Sequence, residues 1–277
     1  MKKVYIQTYS LGDNMAKDFE GSLKKLSEMG YCGVEFAGGY GGKSAEELIE
    51  ILKKYKLDAI SSHVRLDIAD DEIEFLAKVG ARYIICPMAV ATTYDEAISL
   101  AGQLNAVGER CKKYGLKYGY HNHTQEFMEI DGKYLLEILI ENTDPDKVVF
   151  QLDVGWCTTA GVNAVDFINK YAGRFELIHA KEAGKVTGVQ KPLDFSGIQR
   201  DESGRPVMTP EFMKLMEEMN ETRKMNSPQG KGIVDWKGVK TAADAQGARA
   251  YIVEREWDYL DDIFQCVKED VEFMKTV

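Results

Sequence analysis

Four histidines are spread over 277 residues, and each stands at the end of a short apolar run: His63 closes Asp58–His63, His121 and His123 close Lys117–His123, and His179 lies near the end of Phe175–Lys181. Carboxylates end two further runs, Asp153 in Val148–Val154 and Glu254 with Glu256 in Ala250–Glu256. Side chains alternate across a strand, so His121 shares a face with His123, Gln151 with Asp153, His179 with Lys181 and Glu254 with Glu256. If those faces turn to one common mouth, Asp153, His179 and Glu254 converge beside His121 and His123. Two carboxylates and an imidazole form a mixed oxygen and nitrogen donor set, suited to Mn, Co, Mg, Fe or Zn rather than to a thiolate-bound metal. A buried ion-pair network is the other use of the same residues.

The elements that must position these groups are legible as an alternation. Eight runs rich in Val, Ile, Tyr and Phe read as strands: the five already named, together with Val4–Thr8, Gly33–Ala37 and Tyr83–Pro87. Between them lie stretches with apolar residues near the i, i+3, i+4 spacing, among them Phe19–Met29, Ala45–Tyr55, Tyr94–Tyr114 and Val165–Tyr171. Strands alternating with helices predict stacked βαβ units, and eight of them predict a closed (β/α)8 barrel, a TIM barrel in the α/β class, as one domain over 1–277. Such barrels place their chemistry at the C-terminal ends of the strands, where all four histidines fall.

Composition bounds the function. The chain carries 35 Lys plus Arg against 45 Asp plus Glu, a net charge of -10, so its long-range field repels phosphate backbones and anionic lipid. Nucleic acid and membrane are not expected partners; a small molecule is, and a homo-oligomer is compatible. Five cysteines without a CxxC pair argue against a disulfide framework or a zinc ribbon and fit a reducing cytoplasm. The N-terminal segment is too polar for an export signal, and no 18-residue apolar run occurs.

The chain resembles the sugar phosphate isomerase/epimerase group of xylose-isomerase-like TIM barrels over nearly its whole length. The resemblance rests on Gly30-Tyr-Cys-Gly-Val-Glu35, Ser62-His63, Tyr120-His-Asn-His-Thr-Gln-Glu-Phe127, Leu152-Asp-Val-Gly-Trp156, Ile178-His-Ala-Lys-Glu182, Gly230-Lys-Gly-Ile-Val-Asp-Trp236 and Val253-Glu254. It implies one divalent metal ion (Mn, Co, Mg or Zn) and a sugar or sugar derivative as substrate. Asp153, His179 and Glu254 match three of the family's metal ligands. Many members carry a glutamate at the end of strand five, where this chain has His121. Glu126, the first carboxylate after that strand, is taken as the fourth ligand, with His121 as the competing choice.

The resemblance further implies proton abstraction next to a carbonyl through an enediolate, giving an isomerase or epimerase. The alternative is β-elimination by a dehydratase or lyase on a keto-sugar or 3-keto-glycoside, and phosphodiester hydrolysis of the AP-endonuclease type stands behind both because the chain is acidic. Glu254, His123 and Lys181 are the candidate catalytic groups, with Lys181 supporting an oxyanion or else solvated at a strand end. Glu35, His63, His121 and Trp156 are candidate substrate contacts, although Glu35 can equally close the core with a hydrogen bond and Trp156 can fill it. About fifty residues separate Lys181 from the helix expected near Asp235-Trp236, a connection long enough to be functional. It is read as a lid over residues 183 to 233, with a Met-rich helix at Pro210–Glu221 and hinges at Gly204, Gly230 and Gly232.

Overall fold

A computed structural model of the chain describes residues 3–190, 197–199, 206–223, 226–256, 260 and 262–277, the side chains of 219–223 excepted. Eight parallel strands close into a barrel: β1 (Val4–Gln7), β2 (Gly33–Phe36), β3 (Asp58–His63), β4 (Tyr83–Cys86), β5 (Lys117–His121), β6 (Val148–Asp153), β7 (Phe175–Ala180) and β8 (Ala250–Val253). All eight expected runs are strands, and most stop one to three residues early. Of the trimmed residues, His123, Lys181, Glu254 and Glu256 stand in the loops above the strands, while Thr8 and Val154 open short helices.

Local chemistry fixes the helices between them. Ser44 and Thr93 each make a reciprocal capping box with the glutamate three residues on, starting Ala45–Tyr55 and Tyr94–Lys112. Asp18, Asn163 and Asp235 cap Phe19–Met29, Ala164–Lys170 and Trp236–Ala245 through side-chain oxygens. Their apolar faces join the outward strand residues in one large jacket, while Tyr5, Ile60, Tyr83, Ile85, Val149, Leu177, Ala250 and Ile252 form a separate buried cluster that fills the barrel.

The N-terminal end of the barrel is closed by polar groups. Lys3 Nζ donates to Asp58 at 2.8 Å, Arg82 donates to the Tyr5 hydroxyl at 3.0 Å, and the Tyr83 hydroxyl donates to Glu176 at 2.8 Å. Glu176 also pairs with Lys117 and Arg249. With that end shut and the centre filled, it is the C-terminal end that, among the described residues, carries the inward side chains available for chemistry. Register shifts at Val34/Glu35 against β3 and at Phe150/Gln151 against β7 re-aim side chains next to that end. Among the described residues no helix is long and apolar enough to cross a membrane.

After β7 the chain pairs Ala183 with Asn226 and forms the expected helix, Pro210–Arg223. Residues 191–196, 200–205 and 224–225 of the expected lid, Gly204 included, lie outside the described residues. Gly230 and Gly232, the other two expected hinges, stand in packed surroundings, a Cβ on Gly230 meeting the Phe273 ring at 2.2 Å. A Cβ on Gly232 would stand 2.1 Å from the Ala183 carbonyl oxygen, so this glycine permits close packing against the end of β7.

Candidate metal and catalytic centre

Above the apolar filling lies a layer organised around Glu35, which has no exposed surface. Its Oε1 accepts from Gln7 Nε2 at 3.0 Å and lies 2.8 Å from His179 Nε2 and 3.0 Å from His63 Nε2. Its Oε2 accepts from Ser61 Oγ at 2.6 Å and from Gln151 Nε2 at 2.7 Å. Burial alone would push this carboxyl up, but His63 and His179 hold it well below the usual carboxylate range. The Gln151 amide oxygen lies 2.9 Å from His63 Nε2 and 3.1 Å from His121 Nδ1, tying both rings to the same layer. Glu35 is thus a fully engaged carboxylate beneath the mouth.

The next layer is the donor set. His121, Asp153, His179 and Glu254 each offer an atom, and all four atoms lie within 4.8 Å of one another. His179 Nδ1 is 3.1 Å from Glu254 Oε2 and 3.5 Å from Asp153 Oδ2, while its other nitrogen faces Glu35. A carboxylate on the far side of a ligating imidazole fixes the ring and raises its basicity, which is how metal-bound histidines are supported. Asp153 does two jobs. Its Oδ1 accepts from the Trp156 backbone N–H at 2.7 Å and caps the helix Val154–Thr159, while its Oδ2 is buried without a hydrogen-bond partner. An orphaned buried carboxylate oxygen facing two imidazoles and a second carboxylate fits a divalent cation.

Glu126 is not part of this set. Its Oε1 accepts from the Tyr120 hydroxyl at 2.8 Å and its Oε2 from the His123 backbone N–H at 2.7 Å, and burial pushes its carboxyl up to about 7. Glu126, expected as the fourth ligand, stands outside the cluster, and His121, the competing choice, stands in it, because β5 ends at His121 and the next turn commits Glu126 to the segment that follows. Accordingly Glu126→Gln, whose amide oxygen can accept from the His123 N–H while its NH2 donates to the Tyr120 hydroxyl, is expected to retain metal, whereas His121→Ala is expected to lose more than about tenfold in affinity. Titration with Mn monitored by calorimetry decides; the reverse order would reinstate Glu126.

The remaining candidates surround the donor set. Lys181 is buried, with its ammonium 3.0 Å from Glu254, 3.1 Å from Glu256 and 4.4 Å from the centroid of the Trp156 ring. It is not a solvated strand end. Gly155 makes room for it, since a Cβ there would approach Lys181 Cγ to 2.8 Å. Burial opposes the charge on Lys181, yet Glu254, Glu256 and Asp153 raise its pKa above the ordinary lysine value. Burial likewise works against ionised Glu254, and Lys181 with His179 holds it well below the carboxylate range. His123 packs 4.9 Å from the His121 ring and 5.9 Å from Trp156; burial and the Lys181 charge push it down to about 3, so its imidazole is neutral and able to donate a hydrogen bond but not to act as a cationic acid. Burial and the neighbouring imidazoles push His121 well down as well, the form a metal ligand requires.

Sequence reasoning gave no role to Glu182. This buried carboxylate accepts from the backbone N–H groups of Gly230 at 2.8 Å and Val234 at 3.1 Å and from Trp236 Nε1 at 2.6 Å. It ties the Gly230–Trp236 segment to the end of β7, beside Lys181. The two motifs were legible, but nothing local to either signalled that one binds the other.

A barrel with its donor set at the C-terminal mouth defines a class, and the family model for the xylose isomerase-like TIM barrel matches residues 23–277. The chain belongs to that family. It is similar to an inosose dehydratase of Geobacillus kaustophilus (strain HTA426), 25% identical over a 201-residue alignment, with coverage of 62% of this chain and 64% of that one, so the match spans less than two thirds of the relative. Its fold is that of a sugar phosphate isomerase/epimerase from Parabacteroides distasonis ATCC 8503 (TM-score 0.75, 23% identity, 100% of this chain and 94% of that one). It is also that of the IOLI protein with a bound zinc atom (TM-score 0.72, 13% identity, 100% and 97%).

Proposed function

We propose that this protein is a divalent-metal-dependent lyase that removes a proton next to the carbonyl of a cyclic, polyhydroxylated ketone and expels the oxygen substituent on the β carbon, as a dehydratase does. The observation that carries this reading is the buried Lys181 ammonium 3.0 Å from Glu254, on the rim of the donor set. His121, Asp153, His179 and Glu254 would hold the metal, whose charge acidifies the C–H bond beside a carbonyl.

Glu254, kept ionised by Lys181, takes the proton. The Lys181 ammonium stands on the neighbouring strand end, so it faces a β oxygen leaving from the same face and donates to it as the C–O bond breaks. Glu254 then returns its proton to Lys181. No net proton is gained or lost, and the elimination is syn. Trp156 and neutral His123 cover the lysine and keep bulk water from it. The name of the curated relative, inosose dehydratase, supports the same reaction class.

Epimerisation, the reading preferred on sequence, needs a second proton carrier across from Glu254. β5 lies three strands around the barrel from β8 and brings His121 and His123, both held neutral. The solved neighbour named for isomerase and epimerase chemistry keeps that reading as the second one. Incubation of the Mn-loaded protein in D2O with an inosose and with a 3-keto-glucoside, followed by NMR, separates them. Loss of the β oxygen to give an enone is expected; deuterium at an inverted or neighbouring centre with the oxygen retained would make the enzyme an epimerase or isomerase, and no exchange at all would remove proton abstraction altogether.

A further inference from the structure

A polar centre sits at the mouth, but the loops around it are apolar. Among the described residues, Met88 and Val90 follow β4 and Val186 and Val189 follow β7, and all four are exposed, Val90 at 67% and Val189 at 45%. Large exposed apolar side chains gathered on one rim mark a binding surface rather than scatter. Val90 and Val189, though not Met88 or Val186, border a groove of about 100 Å³ whose other apolar walls are Ala91, Met128 and Leu135, with Gln125 and Gln190 as its polar members.

Hydrogen bonds tie the walls of the groove to the loop that carries His123. The backbone N–H of Gln190 donates to Thr124 Oγ1 at 3.2 Å, which docks the segment after β7 onto the residue next to His123. On the other wall, the Ala89 N–H donates to the Tyr120 hydroxyl at 3.3 Å, and Tyr120 in turn holds Glu126, the carboxylate under the His123 backbone. The same loop thus carries a candidate catalytic side chain and one wall of the groove. Its volume is of the order of the apolar cavities that accept a benzene ring, which are ~150 Å³.

We propose that the groove is a subsite for an apolar, ring-sized substituent of the substrate, so that the group expelled is an aryl or comparably apolar alcohol attached through oxygen to the sugar-like ring. The inference rests on the elimination reading. In that step the α C–H and the β C–O bonds break, a carbon–carbon double bond forms, and the proton passes by Glu254 and Lys181 to the departing oxygen; the products are an enone and a free alcohol or phenol, with no oxidant required. An occupant of this kind uses an apolar rim beside a centre whose contacts, the Trp156 ring over Lys181 apart, are polar, a division that an unsubstituted cyclic polyol, with hydroxyls on every side, would not use.

Binding separates this proposal from the reaction. Phenyl β-D-glucopyranoside and methyl β-D-glucopyranoside, neither of which has the ketone, are titrated into the Mn-loaded protein by calorimetry. The phenyl compound is expected to bind roughly tenfold to a hundredfold more tightly, the gain for burying a ring of that size. Val189→Asp, at an exposed position where folding tolerates charge, is expected to bring that ratio close to one, and Val189→Ile to keep it. Equal affinities for the two glucosides, no binding of either, or a change in sedimentation rather than in the ratio for Val189→Asp, which would make the groove a contact between copies of the chain, each overturn the subsite. Absence of α-deuterium exchange in the ketones while the phenyl preference persists would instead count against the elimination reading alone.

Discussion

Asp153→Asn is expected to lower divalent-metal affinity by more than about 100-fold while leaving the fold intact. The asparagine oxygen can still accept from the Trp156 N–H and cap Val154–Thr159, so the helix start survives, but the orphaned Oδ2 and its charge are gone. Glu35→Gln is the contrast to measure: it removes the charge behind His179 and His63 and turns an NH2 toward donors that the carboxylate had accepted from, and losses of such outer partners fall in the range of roughly 10- to 100-fold. Metal content after dialysis, read by elemental analysis, orders the two. Full occupancy in Asp153→Asn would dismiss the site.

The same centre predicts a pH dependence. Burial opposes charge on His179, but Glu35, Asp153 and Glu254 raise its pKa well above the ordinary 6.5, so without metal the ring holds a proton through the neutral range. A ligand must give up that proton, and apparent metal affinity should rise by about tenfold per pH unit until the raised pKa is passed. Stability of the metal-free protein runs the other way. The contribution of the His179 ion pairs is complete below the unfolded histidine value and is lost as pH rises through the folded one. Calorimetry in buffers of different ionisation enthalpy reports the released proton, and a pH-independent affinity would show that His179 does not ligate.

Lys181→Met is expected to lower turnover on the order of 100- to 1000-fold, the scale for losing one group that stabilises a developing oxyanion. The methionine stem can fill the space under Trp156, but two buried carboxylates, Glu254 and Glu256, then face each other with no cation between them. Glu254 must ionise to act as the base, and losing its largest favourable neighbour raises its pKa, so the acid limb of the rate profile should move to higher pH. Lys181→Arg, which keeps the charge but not the compact shape, should restore the limb more than the rate. A variant with an unshifted limb and wild-type turnover would place Lys181 outside the chemistry.

The sequence by itself determined the barrel and most of the site's cast. Strand and helix follow from short-range periodicity and from caps three residues apart, such as Ser44 with Glu47, and these act within one element. Strand-end position sufficed to bring Asp153, His179 and Glu254 together, because a closed parallel barrel sends every such end to one rim. Preference among near neighbours was beyond it. His121 and Glu126 differ by five residues, and where β5 stops and the following turn begins decides which one stands with the other three donors; the pairing of β5 with β4 and β6 brings His121 there, while the Tyr120 hydroxyl takes up Glu126. Glu35 drew its role from Gln7, Ser61, Gln151 and His179 on four other strands, and Glu182 from a segment nearly fifty residues away. Such partners meet only once the sheet has closed, since a strand's pattern says which side a residue faces but not what comes to stand opposite it.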